Sequence, residues 1–357
     1  MTQHRFYVGT YTQDVPHIAK SAGKGIYVLD LDSTTGQLTE ATLAAELVNP
    51  SFVAVHPDRK TVLAVSETEQ GTVSSFQVKE DGTLQLTSTQ SAIEGATCFV
   101  STDLEGKLAL VANYMGEVSV LAYPITEEGA LLPHQALDRH EHHTQREGQD
   151  SPHAHCIRSL PGGRYVAATN LGTDEVYVYD LQGESGPLSR VHIASFPEGS
   201  GPRHIQFDAS GKLAYVCTEL SSQLVSLRVE PETGVMLALN IASTLPEDAQ
   251  GTENSTSEVL VSPEGHFVYV GNRGHDSIAV FQVQQDTGEL ELLSTASTQG
   301  KGPRGMALSP DGQFLLAGNQ DSDTIMVFRR DAQEGGLEPV GLFPCPTPVS
   351  LAFVPET

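Results

Sequence analysis

The stretch GPRHIQFDASGKLAYVCTELSSQLVSLRV, residues 201–229, decides how the whole chain is read. An alternating apolar run meets a turn built on Asp208, Ser210 and Gly211. A second run follows, and after Glu219–Ser222 comes a third. Period-two alternation interrupted by Asp, Ser and Gly describes a β-hairpin extended by one more strand. A fourth run, LALNIAST at 237–244, completes an antiparallel meander of four strands.

Working outward, the same line recurs on both sides. Upstream lie NPSFVAVHPDRKTVLAVSE (49–67), GATCFVSTDLEGKLALVANY (95–114) and SPHAHCIRSLPGGRYVAATNL (151–171). Downstream lie TSEVLVSPEGHFVYVGNR (256–273) and GPRGMALSPDGQFLLAGNQ (302–320). The turn position, held by Arg59, Gly106, Gly163, Gly211, Gly265 and Gly312, repeats at intervals of 47, 57, 48, 54 and 47 residues. A four-stranded unit at this period marks a β-propeller blade. One such sheet cannot bury both faces, whereas radially packed neighbours can. Six units are complete. The C-terminal TPVSLAFVPE (347–356) resembles a first strand, and the N-terminal RFYVGTYT, GIYVLDL and LTEATLAAE resemble the second, third and fourth. The expectation is an all-β, seven-bladed β-propeller of four-stranded antiparallel blades, one domain over 1–357, with the last blade closed by N- and C-terminal strands.

Bulk properties narrow the function. The 33 Gly and 20 Pro suit many short strands. A formal net charge of −25 opposes nucleic acid and anionic membranes as partners. The N-terminal MTQHRFYVGTYT lacks the pattern of a secretory signal, and no run of about 18 apolar residues suggests a membrane span. Cys98, Cys156, Cys217 and Cys345 stand far apart, as buried free thiols would. These features favour a cytoplasmic protein.

In a meander, the start of strand one and the end of strand two lie at the same end. The first-strand starts bring His153, His155, Arg203, His204 and Arg304 to that end. The second-strand ends bring Tyr114, Glu219 and Arg273, preceded by a ring of Asn, Ser and Thr that includes Asn113. That ring suits backbone support. On a regular strand His153 and His155 face the same way. Three arginines converging in an acidic protein suggest an anion pocket at the channel mouth. The cluster RHEHH (139–143) offers His140, His142 and His143 as rival metal ligands, but it lacks Cys ligands and HExxH spacing. Neither a metal nor another cofactor is expected.

The repeats, with VGTYT, QDSPHAHCI, GPRHIQF, TEL and GNRGHDSIAVF, resemble the lactonase family of seven-bladed propellers, which includes bacterial 6-phosphogluconolactonases and fungal carboxymuconate cyclases. The resemblance implies a catalytic set at His153, Glu219, Arg203 and Arg273, with His155, His204, Arg304, Tyr114 and Asn113 as substrate-binding candidates. It implies hydrolysis of 6-phospho-D-glucono-1,5-lactone, with His153 or Glu219 as base. A cyclase acting on an anionic carboxymuconate and a noncatalytic binding propeller are the alternatives. The final repeat has Gly305 where the family often has His, and Gly148-Gln149 stand where it usually has Arg-Gln.

Overall fold

The computed structural model describes residues 3–16, 20–141 and 146–356. Seven sheets of four antiparallel strands form a ring. The quoted stretch supplies Pro202–Phe207, Leu213–Thr218 and Gln223–Val229, and Met236–Ser243 completes its blade. The first strands Val53–Val55, Thr97–Thr102, Ala154–Ser159, Pro202–Phe207, Ser255–Val261, Pro303–Leu308 and Pro348–Phe353 stand side by side around the axis. In the closing sheet Pro348–Phe353 pairs with Gln3–Thr10, followed by Gly25–Asp32 and Thr42–Glu46. Phe6 lies opposite Phe353, and Val8 opposite Leu351. The two ends of the chain thus share one sheet, and the ring has no open first or last blade.

Alternation along each strand puts apolar side chains on both faces, and the core lies between blades. Phe99 and Leu110 from one blade pack with Ile157, Val166 and Tyr177 from the next, and with Ile205 and Val216 from the one after. Polar groups also fasten neighbours. Tyr7 donates its hydroxyl to the carbonyl of Gly82 at 3.1 Å, Tyr165 to Glu232 at 2.8 Å and Tyr269 to Gly335 at 3.2 Å. Each bond joins one blade to the outer turn of the next.

The repeating turn position has a backbone reason. Arg59, Gly106, Gly163, Gly211, Gly265 and Gly312 all have φ between 61° and 78°. This left-handed region costs an L-residue about 1–2 kcal/mol and glycine almost nothing. Arg59 is the one non-glycine at this position.

Candidate active site

A β-bulge at the start of most first strands aims side chains at the axis. Thr97, Ala154, Pro202, Thr256, Pro303 and Pro348 lie opposite Asn113, Asn170, Thr218, Asn272, Asn319 and Thr10. The register then slips, leaving Cys98, His155, Arg203, Arg304 and Val349 without a cross-strand partner, and Ser257 and Glu258 at the corresponding slip. An extra residue bends the strand and redirects its side chain. Cys98, His155, Arg203, Glu258, Arg304 and Val349 accordingly line the channel.

The bulges are held from behind. Asp174 accepts the backbone N–H groups of Gly201 (2.8 Å) and Gly199 (2.7 Å), just ahead of Arg203. Asp276 does the same for Gly302 (2.8 Å) ahead of Arg304, and Asp323 for Thr347 (2.7 Å) ahead of Val349. The Asn ring is equally structural. Asn113 accepts from the Thr97 hydroxyl at 2.7 Å and donates to Ala92 and Val118 at 2.9 Å. It was a candidate for substrate binding, but its amide is spent on the loops.

Two adjoining spaces result. A mouth cavity of about 900 Å³ is lined by Glu67, Cys98, Tyr114, His155, Glu219, Arg273 and Arg304, with Gln13–Pro16 at its rim. Beneath it lies a chamber of about 10 Å³, lined by Ser51, Phe52, Arg203, His204, Glu258 and Val349 and by four residues of the mouth: Glu67, Cys98, His155 and Arg304.

Glu219 is the hub. Its Oε2 lies 2.9 Å from Arg203 Nε and its Oε1 2.8 Å from Arg273 Nη2. Burial alone would raise this carboxyl, but Arg273 and Arg203 outweigh it and hold it far below the usual carboxylate range. Arg203 and Arg273 also donate to the carbonyls of Ser257 and Thr256. Arg304 lies over the Tyr11 ring, 5.6 Å from its centroid, and the Tyr11 hydroxyl donates to Glu67 at 2.9 Å. Burial, then Arg203 and His204, push His155 well below its ordinary pKa, so the imidazole is neutral near pH 7.

His153 lies beside the two spaces and not in their lining. It precedes the strand, its ring stacks on Tyr114 at 4.3 Å, Nδ1 bonds the Tyr114 carbonyl at 2.7 Å, and Nε2 lies 3.2 Å from Asp150. Both nitrogens are engaged and the ring lines neither space. The regular-strand expectation that His153 and His155 point alike fails because the bulge intervenes.

A family model described as "Lactonase, 7-bladed beta-propeller" matches residues 5–353. The chain belongs to this family. Among its lactonase relatives, a protein of Bacillus subtilis (strain 168) named 6-phosphogluconolactonase is 38% identical over 308 residues, 85% of this chain and 84% of that protein. The structure of a Pseudomonas aeruginosa periplasmic gluconolactonase superposes with a TM-score of 0.90 at 30% identity, covering 99% of both chains. A Lactobacillus plantarum protein matches at 0.90 and 32%, again over 99% of both.

Of the rival histidine cluster, His140 lies away from both spaces. His140 is buried, stacked 3.6 Å from the Tyr177 ring, with Nε2 2.6 Å from the Tyr179 hydroxyl and Nδ1 accepting from Asn170 at 2.7 Å. His142 and His143 fall outside the described residues. Among the described residues no three His, Cys, Asp or Glu side chains group as metal ligands would. No helix there is long and apolar enough to cross a membrane. Residues that sequence reasoning did not select also line the site: Glu67, Cys98 and Glu258. Glu67 and Glu258 occupy the same repeat positions as Glu219 and the first-strand starts, so position was a usable signal. For Cys98 only the bulge register reveals it.

Proposed function

We propose that this lactonase-family chain hydrolyses an anionic sugar-acid lactone, with 6-phospho-D-glucono-1,5-lactone as substrate and 6-phosphogluconate as product. The observation that carries the reading is one cavity lined by a neutral His155 with Glu219 and Arg273, Glu219 being paired in turn with Arg203. The B. subtilis relative's name supports the phosphorylated substrate.

His155 is the base in this reading. Its ring takes a proton from water as the water oxygen attacks the lactone carbonyl carbon. Charge then collects on the carbonyl oxygen, where Arg273 at the mouth stabilises it. The bond from the carbonyl carbon to the ring oxygen breaks, and that oxygen takes the proton back from His155 as it becomes a hydroxyl. General base catalysis contributes about 10²–10⁴ in rate and one oxyanion donor about 3–4 kcal/mol, enough for an activated ester. Glu219 suits the base role poorly, because a carboxylate held strongly ionised has little drive to accept a proton. Its part is to hold two guanidinium groups in place. Arg304, shared by both spaces, is the cation for the substrate's anionic group.

The test compares freshly made 6-phosphoglucono-1,5-lactone with glucono-1,5-lactone. We expect hydrolysis well above the spontaneous rate and a higher kcat/KM for the phosphorylated ring. Spontaneous rates with both would overturn lactone hydrolysis. Equal kcat/KM values would overturn the phosphate preference.

A further inference from the structure

Below the mouth, a set of buried polar groups is left unused by this chemistry. His204 Nδ1 lies 2.8 Å from Glu258 Oε1, and both side chains are almost wholly buried. His204 Nε2 is buried with no protein partner, as are His155 Nδ1 and the Ser51 hydroxyl. All three residues line the chamber of about 10 Å³, and the two imidazole centroids are 5.1 Å apart. A polar space of this size suits one water molecule, which needs two to four polar partners. These three atoms fall within that range. Leaving them unsatisfied would carry the full desolvation cost of each group.

We propose that Glu258 and His204 are positioning residues that set the tautomer of His155 through one enclosed water. Glu258 accepts the Nδ1–H of His204, which makes Nε2 an acceptor. The water donates one hydrogen to that nitrogen, offers the other to Ser51, and accepts the Nδ1–H of His155. The lone pair of His155 is then fixed on Nε2, the nitrogen left for the mouth. This is the second-shell logic by which a buried carboxylate orients an imidazole at one remove.

The surroundings suit a relay of neutral rings. Burial, with Arg203, Arg158 and Arg304, pushes His204 well below its ordinary pKa, opposed by Glu219. The groups facing His155 are Arg203, His204, Glu219 and Arg304. Burial raises Glu258, while Arg158, with Nη2 3.7 Å away, and Arg203 favour its charged form. Phe52 and Phe99 meet the His204 ring in T-shaped contacts at 5.9 and 5.3 Å between centroids, which restricts its orientation.

The proposal rests on His155 as the base, so its test includes a readout that needs no activity. Nitrogen-15 NMR of histidine-labelled protein at neutral pH is expected to show His155 as the Nδ1–H tautomer in the wild type. In His204→Phe, which matches the aromatic surroundings, His155 is expected to become a tautomer mixture. The same variant is expected to lose tenfold or more in kcat with KM within twofold. Glu258→Leu, which leaves the Nδ1–H of His204 without its acceptor, is expected to mix the His155 tautomers as well, and it serves as the test if His204→Phe does not fold. An unchanged His155 tautomer in a folded His204→Phe or Glu258→Leu variant would overturn the relay. An intact relay signature with His155→Ala retaining full activity would instead overturn the assignment of the base.

Discussion

The site turns on one carboxylate shared by two guanidinium groups. Removing a partner from a buried pair leaves an uncompensated charge, costing about 3–5 kcal/mol. The arginines therefore carry a structural part beside their proposed chemical one, and activity must be read beside stability. Arg273→Ala should lower kcat/KM by about 10²–10³, as loss of an oxyanion donor does. The check is steady-state kinetics on protein whose circular dichroism matches the wild type. A pH dependence follows from His155. As the proposed base it acts in its neutral form, and burial lowers its pKa, so the neutral form persists to more acidic pH than an ordinary histidine. The acid limb of kcat/KM should therefore lie below about 6.5. A limb at or above that value would count against His155 as base.

Bulge and turn are the elements that matter. A period-two pattern predicts strands well, and the runs quoted at 201–229 became strands with nearly the expected bounds. The pattern cannot show an inserted residue, because each side of a bulge still alternates. Reading SPHAH from its proline therefore selects His153, whereas the cross-strand register pairs Ala154 with Asn170 and leaves His155 as the residue that enters the channel. The aspartates behind the bulges can be tested. Asp174→Ala removes the acceptor of the Gly201 and Gly199 N–H groups, so it should cost about 2 kcal/mol and reduce kcat/KM by displacing Arg203. Urea unfolding and kinetics measure the two effects separately. At the blade turn the opposite sign is expected. Arg59 has φ 61° where five glycines stand in the sister blades, so Arg59→Gly should stabilise by about 1 kcal/mol, raising the urea midpoint with the slope unchanged.

At the scale of the molecule, ring closure and charge placement combine. The C-terminal strand Pro348–Phe353 is both the innermost strand of the closing blade and the carrier of Val349, which lines the chamber. Truncation after Thr347 should therefore open the ring at the edge of Gln3–Thr10 and remove one chamber wall. The expected result is a lower, broader thermal transition and association through the exposed edge, read by calorimetry and size-exclusion chromatography. The chain's net charge of −25 contrasts with the three arginines that converge inside. Inside, those arginines meet Glu67, Glu219 and Glu258, so the interior is charge-paired, and buried pairs are screened far less than exposed charges.

Alternation, turn chemistry and a repeat of about 50 residues determined the blades, their number and the closing pairing, because each is a local pattern repeated along the chain. They also placed Glu219, Arg203, Arg273 and Arg304 at one end of the channel. Only the tertiary structure decided which side chains meet. Cross-strand register chose His155 over His153. The ring brought Arg203 and Arg273 from neighbouring blades onto one carboxylate, and it enclosed His204 with Glu258. Those outcomes depend on a one-residue slip and on contacts between segments about 50 residues apart, and no local pattern encodes either.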